Sequence, residues 1–455
     1  MQKMKNGKKV LSVCLSLAMA AGMLSTSAFA SWNVYGGSNN HNAVVTEAPT
    51  TPDASGLNSY IQLKCTGSGW DGVDNVPVMQ TVNGTTYAYV LYDGYGASGA
   101  LVAKIRCAEN GGSSIVWTTD PYGTEGTSLN AKSGFQLSTP YLDDKGTPDD
   151  ASDDTLYVGT ISQYDDYEGG EWLTGTGSKV MALTGLDQNK PTVTNVLTGI
   201  NGQINTPITT DGTYLYFGTW PGGSRAGTYY QVKLSDYSVK TFTPDSYGFY
   251  WAGAGSDGTN VYFGSDNGLL YWRSIADFDT TGGVLDLTDV ASDAGNVRST
   301  VMLDDGYLYF TTQGGYLWCC SYDDGLTVEW HIKLGATSTS TPTKVGDRIY
   351  VGYYSGFSEG GVQCLDLGTG SLSTVASGFP VQSSIVVMGD GTGTDYLYFN
   401  TNAQKGAGYC YSYDGTTGSQ VWGTTGDTYA LGGMAIDNGY AVFGNDYNHL
   451  YVVHD

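Results

Sequence analysis

A short strand recurs along this chain, and that recurrence restricts the fold more than any other feature. "YLYFG" at Tyr214–Gly218 returns as "VYFG" from Val261, "LYFTT" from Leu308, "IYVG" from Ile349, "LYFN" from Leu397 and "AVFG" from Ala441. Aligned on the central residue, eight copies centre on Tyr89, Tyr157, Tyr216, Tyr262, Tyr309, Tyr350, Tyr398 and Val442. The later intervals run from 41 to 48 residues, and the first two are lengthened by insertions. A period in the forties with several strands per unit is the signature of propeller blades.

Each unit has the same grammar. A first strand opens on small polar residues and often Pro: "NVPVMQT", "STPYLDD", "NTPITTD", "RSTVMLD", "STPTKVG", "SSIVVMG". A tight turn follows at Asp211-Gly212, Asp257-Gly258, Asp305-Gly306 or Gly346-Asp347, pairs suited to the positive φ of hairpin turns. The repeated strand comes second, a Gly-rich turn leads to a third such as "YLWCCSY", and a loop leads to a fourth such as "SQVWGT". Four antiparallel strands make one blade. In "YLYFG", Leu215 and Phe217 face one way and Tyr214 and Tyr216 the other. Neighbouring blades cover both faces, so both can be apolar or aromatic.

The expected fold is therefore all-β: an eight-bladed β-propeller of four-stranded antiparallel blades, one domain over 31–455. Runs of Glu, Lys, Leu and Ala, which would signal helices, are nearly absent. The last unit ends after three strands. Asn58–Gly67, "NSYIQLKCTG", is expected to supply the fourth by pairing the two chain ends, with Ile61, Leu63 and Cys65 on one side and Tyr60, Gln62 and Lys64 on the other.

Residues 1–30 read as a signal peptide. Lys3, Lys5, Lys8 and Lys9 precede a short apolar run, and "AFA" at Ala28–Ala30 places cleavage before Ser31. Cys14 lies inside the apolar run rather than after it, which argues against lipid attachment. The run is too short for a membrane span. Removing four lysines and no carboxylate takes the net charge of -24 to about −28, which repels nucleic acid and anionic membrane surfaces. The expected location is secreted or cell-surface. The six remaining cysteines, Cys65, Cys107, Cys319, Cys320, Cys364 and Cys410, are read as buried thiols within strands.

"YDGTTGSQVW" at Tyr413–Trp422 and "LDLGTG" at Leu365–Gly370 resemble the repeat of PQQ-like, quinoprotein-dehydrogenase-type β-propellers, in which Asp, two residues, Thr-Gly, three residues and Trp recur. Asp414, Thr417, Gly418 and Trp422 match in full; Asp366, Thr369 and Gly370 match in part; Trp117 and Trp330 stand without the Thr-Gly. "WNVYGGSNNHNAVV" from Trp32 also looks like the opening of such domains. The resemblance spans nearly the whole mature chain and implies the fold. It also implies a candidate cofactor, PQQ with Ca²⁺, and the adjacent Cys319-Cys320 resembles the vicinal disulfide of that family's alcohol dehydrogenases. On a strand, however, neighbouring side chains point to opposite faces, and only one repeat carries the full motif. No PQQ and no other cofactor is expected.

Other motifs are weak. "GYGASG" (Gly94–Gly99) matches a dinucleotide fingerprint but is followed by the strand-like "ALVAKIRC", so it reads as a blade hairpin. His41, His331, His449 and His454 are scattered without metal-ligand spacing. "DDKGTPDDASDD" (Asp143–Asp154) and "YDDYEGGEW" (Tyr164–Trp172) are acidic enough for Ca²⁺ but lack EF-hand spacing, and read as solvated insertions.

The candidate site comes from propeller geometry. Loops entering the innermost strands crowd one mouth of the central channel. The residues just before those strands are Ser138, Thr139, Asn205, Thr206, Tyr250, Trp251, Arg298, Ser340 and Gln382. Arg298 is notable in a cation-poor chain, and Tyr250 and Trp251 offer rings to a sugar or peptide. The expected function is a binding or scaffolding module for an extracellular protein, peptide or cell-surface glycan. The rival expectation is an enzyme on the same scaffold, a quinoprotein-type dehydrogenase or a carbohydrate-active enzyme.

Overall fold

A computed structural model describes residues 31–64, 72–94, 99–120, 126–131, 138–161, 164–168, 171–174, 176–323 and 325–455. The signal-sequence expectations, Cys14 and Cys65 lie outside the described residues.

All eight copies of the repeated motif fall on the second strand of a four-stranded antiparallel sheet, and the eight sheets form the blades of a ring. Blade 3 shows the pattern: Thr209–Thr210, Tyr214–Gly218, Tyr229–Lys233 and Val239–Phe242, paired in sequence order. The turns behave as their residues require. Gly212 and Gly258 adopt φ of 87° and 84°, and Asp305-Gly306 takes 47° and 83°. Asp211 fixes its turn by accepting from the Thr213 and Tyr214 amides and from the Tyr216 hydroxyl. Asp257 repeats this with Thr259, Asn260 and Tyr262. The "GYGASG" segment joins two paired strands, Thr85–Gly94 and Gly99–Arg106. "YDDYEGGEW" contributes a small hairpin, Tyr164–Glu168 with Glu171–Thr174, inserted in blade 2.

The apolar core lies between blades, all the way round. Leu215 and Phe217 pack with Tyr157, Val180 and Ile204 of blade 2. Tyr216 packs with Phe249, Val261 and Phe263 toward blade 4. This is the two-sided burial that the alternation predicts. Burying each such side chain contributes about 1.5–3 kcal/mol.

The cysteines follow the same geometry. Cys319 packs at the interface with blade 6 and Cys320 at the interface with blade 4, as alternation on Tyr316–Ser321 dictates. Cys107, Cys319, Cys320, Cys364 and Cys410 are buried free thiols. Tyr309, Cys319 and Trp330 align across three strands, as do Tyr398, Cys410 and Trp422. A small thiol thus fits between two rings.

Two features depart from the sequence reading. Among the described residues of the closing segment, Asn58 ends a short helix, Ala54–Asn58, and Ile61–Gln62 alone pairs as a strand, with Leu450 and His449. One further bond runs from the Leu63 amide to the Asn448 carbonyl. Leu63 is buried as expected, and exposed Tyr60 stacks on His449 at 3.6 Å. The second departure is the segment Trp32–Val45, which is a strap laid across the inner strands. Its Trp32, Asn33, Asn40 and Ala43 carbonyls accept from the Met79, Leu142, Leu303 and Val387 amides. Asn42 exchanges two side-chain hydrogen bonds with the Lys344 backbone. Val44–Val45 adds a parallel fifth strand beside Val387–Met388 of blade 7. Innermost strands carry an unpaired edge toward the channel, and unpaired backbone groups are costly; the strap satisfies them.

Candidate functional site

The loops entering the inner strands converge on a cup lined by residues from every blade. All eight blades line it: Asn75 of blade 1, Thr139, Asn205, Trp251, Arg298, Thr339, Gln382 and Gly432 of blade 8 among them. Tyr35 of the strap also lines it. Its hydroxyl bonds Thr341 at 3.0 Å and Ser384, and burial raises its pKa. The cup holds about 70 Å³ of water-accessible space.

Five of the nine residues named from sequence line the cup: Thr139, Asn205, Trp251, Arg298 and Gln382. Ser138, Thr206 and Ser340 are turned into the wall instead. Thr206 donates to the Gly218 carbonyl and accepts from its amide. Ser340 accepts from the Gly352 amide, and Ser138 donates to the Thr206 carbonyl. Ser299 and Ser383 hold Thr311 and Asn400 in the same way. In blades 3, 5, 6 and 7 the recurring hydroxyl before the inner strand therefore rivets the loop to the end of its own blade's second strand, while Ser138 ties the blade 2 loop to that of blade 3. Tyr250 stands beside the cup, under Arg298.

Two charged residues line the cup, Asp74 and Arg298, and Arg298 is held in a tight ion pair. Arg298 donates Nε to Asp266 Oδ1 at 2.7 Å and Nη2 to Oδ2 at 2.6 Å. Trp220 Nε1 donates to the same Oδ2 at 2.9 Å. The guanidinium lies 4.3 Å over the Tyr250 ring. Burial opposes the charge on Arg298, but the Asp266 hydrogen bonds and charge prevail and its pKa is raised. Tyr250 meets Trp251 at 4.7 Å and Trp220 edge-on at 5.1 Å. Trp251 holds φ +58°, a left-handed conformation rare for a bulky residue and costing roughly 1–3 kcal/mol. Such strain persists only where the surroundings enforce it, and here it fixes the ring at the rim.

Two buried amides at the cup are half-used. Asn75 donates Nδ2 to the Leu91 carbonyl at 2.8 Å, and Asn205 donates Nδ2 to Gln203 Oε1 at 3.4 Å. The Oδ1 atoms of both are sealed and have no partner among the described residues, with the residues 4% and 2% exposed. Asn75 and Tyr35 were not among the residues named from sequence. Asn75 stands ahead of a first strand in "NVPVMQT", as Asn205 does in "NTPITTD", so the repeat's own alignment could have found it. Nothing in the sequence places Tyr35 on the axis.

The fold and its mouth define an eight-bladed propeller with an axial polar–aromatic cup. No family model matches the chain, and no curated protein matches it in sequence. The likeness is to solved structures. A europium-containing methanol dehydrogenase aligns with a TM-score of 0.57 at 12% identity, over 91% of this chain and 89% of that one. Sqt1 from Saccharomyces cerevisiae gives 0.52 at 11%, over 88% and 99%. BamB from Moraxella catarrhalis gives 0.50 at 13%, over 88% and 97%. At such identities the likeness carries the fold alone, and the resemblance read from sequence holds at the level of the β-propeller. Among the described residues, no helix is long and apolar enough to cross a membrane.

Proposed function

We propose that the protein is an exported β-propeller binding module that recognises an extracellular protein, peptide or cell-surface glycan at the axial cup. One observation carries this reading: all eight blades bring polar and aromatic residues, Asn205, Trp251, Arg298 and Gln382 among them, to a single cup. Export rests on the basic and apolar character of residues 1–30 and the "AFA" boundary.

The protein works without PQQ in this reading. The cup's residues do not fit that cofactor. Cys319 and Cys320 lie in blade interfaces and do not line the cup. Asp74 is the one carboxylate among the described lining residues. No three His, Cys, Asp or Glu side chains are grouped to hold a metal among the described residues. The motif residues that carry the family resemblance have structural work instead. Asp414 caps its turn through Thr416 and Thr417, and these hydrogen bonds, the Thr417 amide foremost, hold its carboxyl down at about 2. Trp422 donates to the Pro49 carbonyl.

The test is an unbiased binding screen of mature protein against glycans and extracellular proteins, repeated with Trp251→Asn. The expected result is a ligand whose binding falls at least tenfold in the variant. Binding unaffected by the substitution overturns the site; alcohol or sugar oxidation by protein loaded with PQQ and Ca²⁺ overturns the function. N-terminal sequencing of the exported protein is expected to begin at Ser31.

A further inference from the structure

Two buried carboxylates stand against blade 1, one from each neighbouring blade. Gln80 and Thr81 are adjacent on its inner strand, Val78–Val82, and so face opposite sides. Gln80 Nε2 donates to Asp154 Oδ2 of blade 2 at 2.6 Å, while its Oε1 accepts from the Tyr89 hydroxyl. Thr81 Oγ1 donates to Asp437 Oδ2 of blade 8 at 3.0 Å. Both acids are buried, and Asp154 Oδ1 has no partner among the described residues. Neither acid is in an ion pair among those residues.

The repeat shows how other junctions hold the same acids. Asp154 stands three residues before Tyr157, and Asp395 three before Tyr398 of blade 7. Asp395 is just as buried, but it receives Arg348 Nη1 at 2.8 Å and the Tyr350 hydroxyl at 2.6 Å from blade 6. Arg348 lies two residues before Tyr350; two before Tyr89 of blade 1 the chain has Tyr87. Asp437 stands five residues before Val442, and Asp304 five before Tyr309. Asp304 is paired with Lys344 on the next blade's inner strand. Asp211 and Asp257, at the same position, take the hydroxyls of Tyr216 and Tyr262, where blade 8 has Val442. Blade 1 thus meets its neighbours' acids with neutral donors where blade 6 supplies Arg348 and Lys344.

The charges that face the two acids do not replace those cations. Asp144, Asp150 and Asp153 of its own loop face Asp154, as do Tyr89 and Lys104 of blade 1. Lys104, however, gives its amine to the Leu186 carbonyl at 2.9 Å and lies over the Tyr87 ring. Asp437 faces Glu47, the Asn438 amide and Cys107 of blade 1. Burial pushes each carboxyl up to about 6, against the lowering effect of Gln80 or Thr81. A folded value raised above the ordinary 3.8 leaves each contact at full strength below 3.8 and weakens it as pH rises through about 6. A buried carboxylate without a cation is costly, and parting blade 1 from its neighbours returns both to water. We propose that blade 1 is a pH-released wall of the ring, gripped by blades 8 and 2 while their carboxyls carry protons and loosened when both ionise. The release reaches the cup: Asp74, Asn75 and Val76 line it just ahead of the strand, and the Val76 amide donates to Thr139 Oγ1 of blade 2 at 3.1 Å. What a ligand feels of it rests on the cup being the binding site.

The experiment is amide hydrogen exchange on the mature protein at pH 5 and pH 7.5, read as protection factors; it needs no ligand. The readout must be local. Burial lowers the pKa of His41 and His331, so their contribution runs the other way and is lost as pH falls below 6.5. Protection at the Val76 amide and along Val78–Val82 is expected to fall at least tenfold between the two pH values. The rise of each carboxyl from 3.8 to about 6 allows up to about a hundredfold per contact. Protection along Tyr214–Gly218 of blade 3 should change less than threefold. The double variant Asp154→Asn with Asp437→Asn should keep its pH 5 protection at pH 7.5. Should it fail to fold, each single variant serves in its place and should shrink the fall at least threefold; an unchanged fall in either overturns the two-sided grip. Equal wild-type protection at both pH values, or a fall that survives the double substitution, overturns the proposal. A fall shared by all blades overturns it too, since it would trace to repulsion across an acidic surface. A fall along the strand that spares Val76 overturns the link to the cup.

Discussion

Asp437 shows how a single residue sets conditions for the ring. It ends the inner strand Ala435–Asp437 of blade 8 and accepts from Thr81 Oγ1 of blade 1 at 3.0 Å. Burial pushes its carboxyl up to about 6, against the lowering effect of the Thr81 bond, with Glu47 adding to the rise. The unfolded chain ionises near the ordinary 3.8. A raised folded pKa means that this group's contribution is fully present below the ordinary value and is lost as pH rises through about 6. A shift of about two units corresponds to roughly 3 kcal/mol. Asp437→Asn should therefore raise the melting temperature by several degrees at pH 7.5 and by little at pH 4. An equal gain at both pH values would show that ionisation is not the cost. Gly418, from the family-like motif, is explained by space. A Cβ there would lie 1.9 Å from the Val375 carbonyl of blade 6, so the residue lets two outer strands touch. Gly418→Ala should cost about 1–3 kcal/mol by overpacking. Denaturant melts check it, and a neutral result would mean that the two strands separate freely.

At the scale of elements, the sequence speaks where alternation repeats and is silent where it does not. The eight second strands were legible because their apolar and aromatic residues alternate over four or five positions and return, after the first two insertions, every 41 to 48 residues. Cup residues such as Asn205 and Trp251 were legible because a propeller's connectivity places the residues before each inner strand at the mouth. The strap was not legible. It is held mainly by backbone bonds to strands distant in the chain, from Met79 to Val387, and such bonds leave no pattern in side chains. The clasp was legible in place but not in extent: Leu63 and Ile61 alternate as a strand should, yet Ala54–Asn58 is capped as a helix by Asp53. The clasp still gives a sharp expectation. Deleting Ser59–Lys64 removes the outer strand of blade 8, its bonds to Leu450, His449 and Asn448, and buried Leu63. Deleting Lys145–Asp150, an equal length of mostly exposed loop, removes little. Thermal melts should put the first deletion several degrees below the second, through lost strand pairing and apolar cover. Equal melting temperatures would mean that the chain ends are not clasped.

For the whole molecule, the ring has two locks that act at different radii. The clasp joins blade 8 to the chain's start at the rim. The strap joins blades 1, 2, 5, 6 and 7 to one segment at the axis, and His41 Nε2, 2.8 Å from the Ala254 carbonyl, adds blade 4. A protein beginning at Thr46 keeps the clasp and loses the strap, so the two can be separated. Such a protein should still form blades, because the apolar interfaces between them remain except where Trp32, Val34, Ala43 and the packed Tyr35 and Val45 are removed. Its inner strands, however, would again carry unpaired amides toward the channel. Amide hydrogen exchange should then rise at least tenfold at Met79, Leu142, Leu303 and Val387, whose donors the strap accepts, and change little in second strands such as Tyr214–Gly218. Binding at the cup should weaken too, because Tyr35 leaves with the strap. Unchanged exchange at those four amides would show that the strap rests on the ring without sealing it, and that the inner strands find their partners elsewhere.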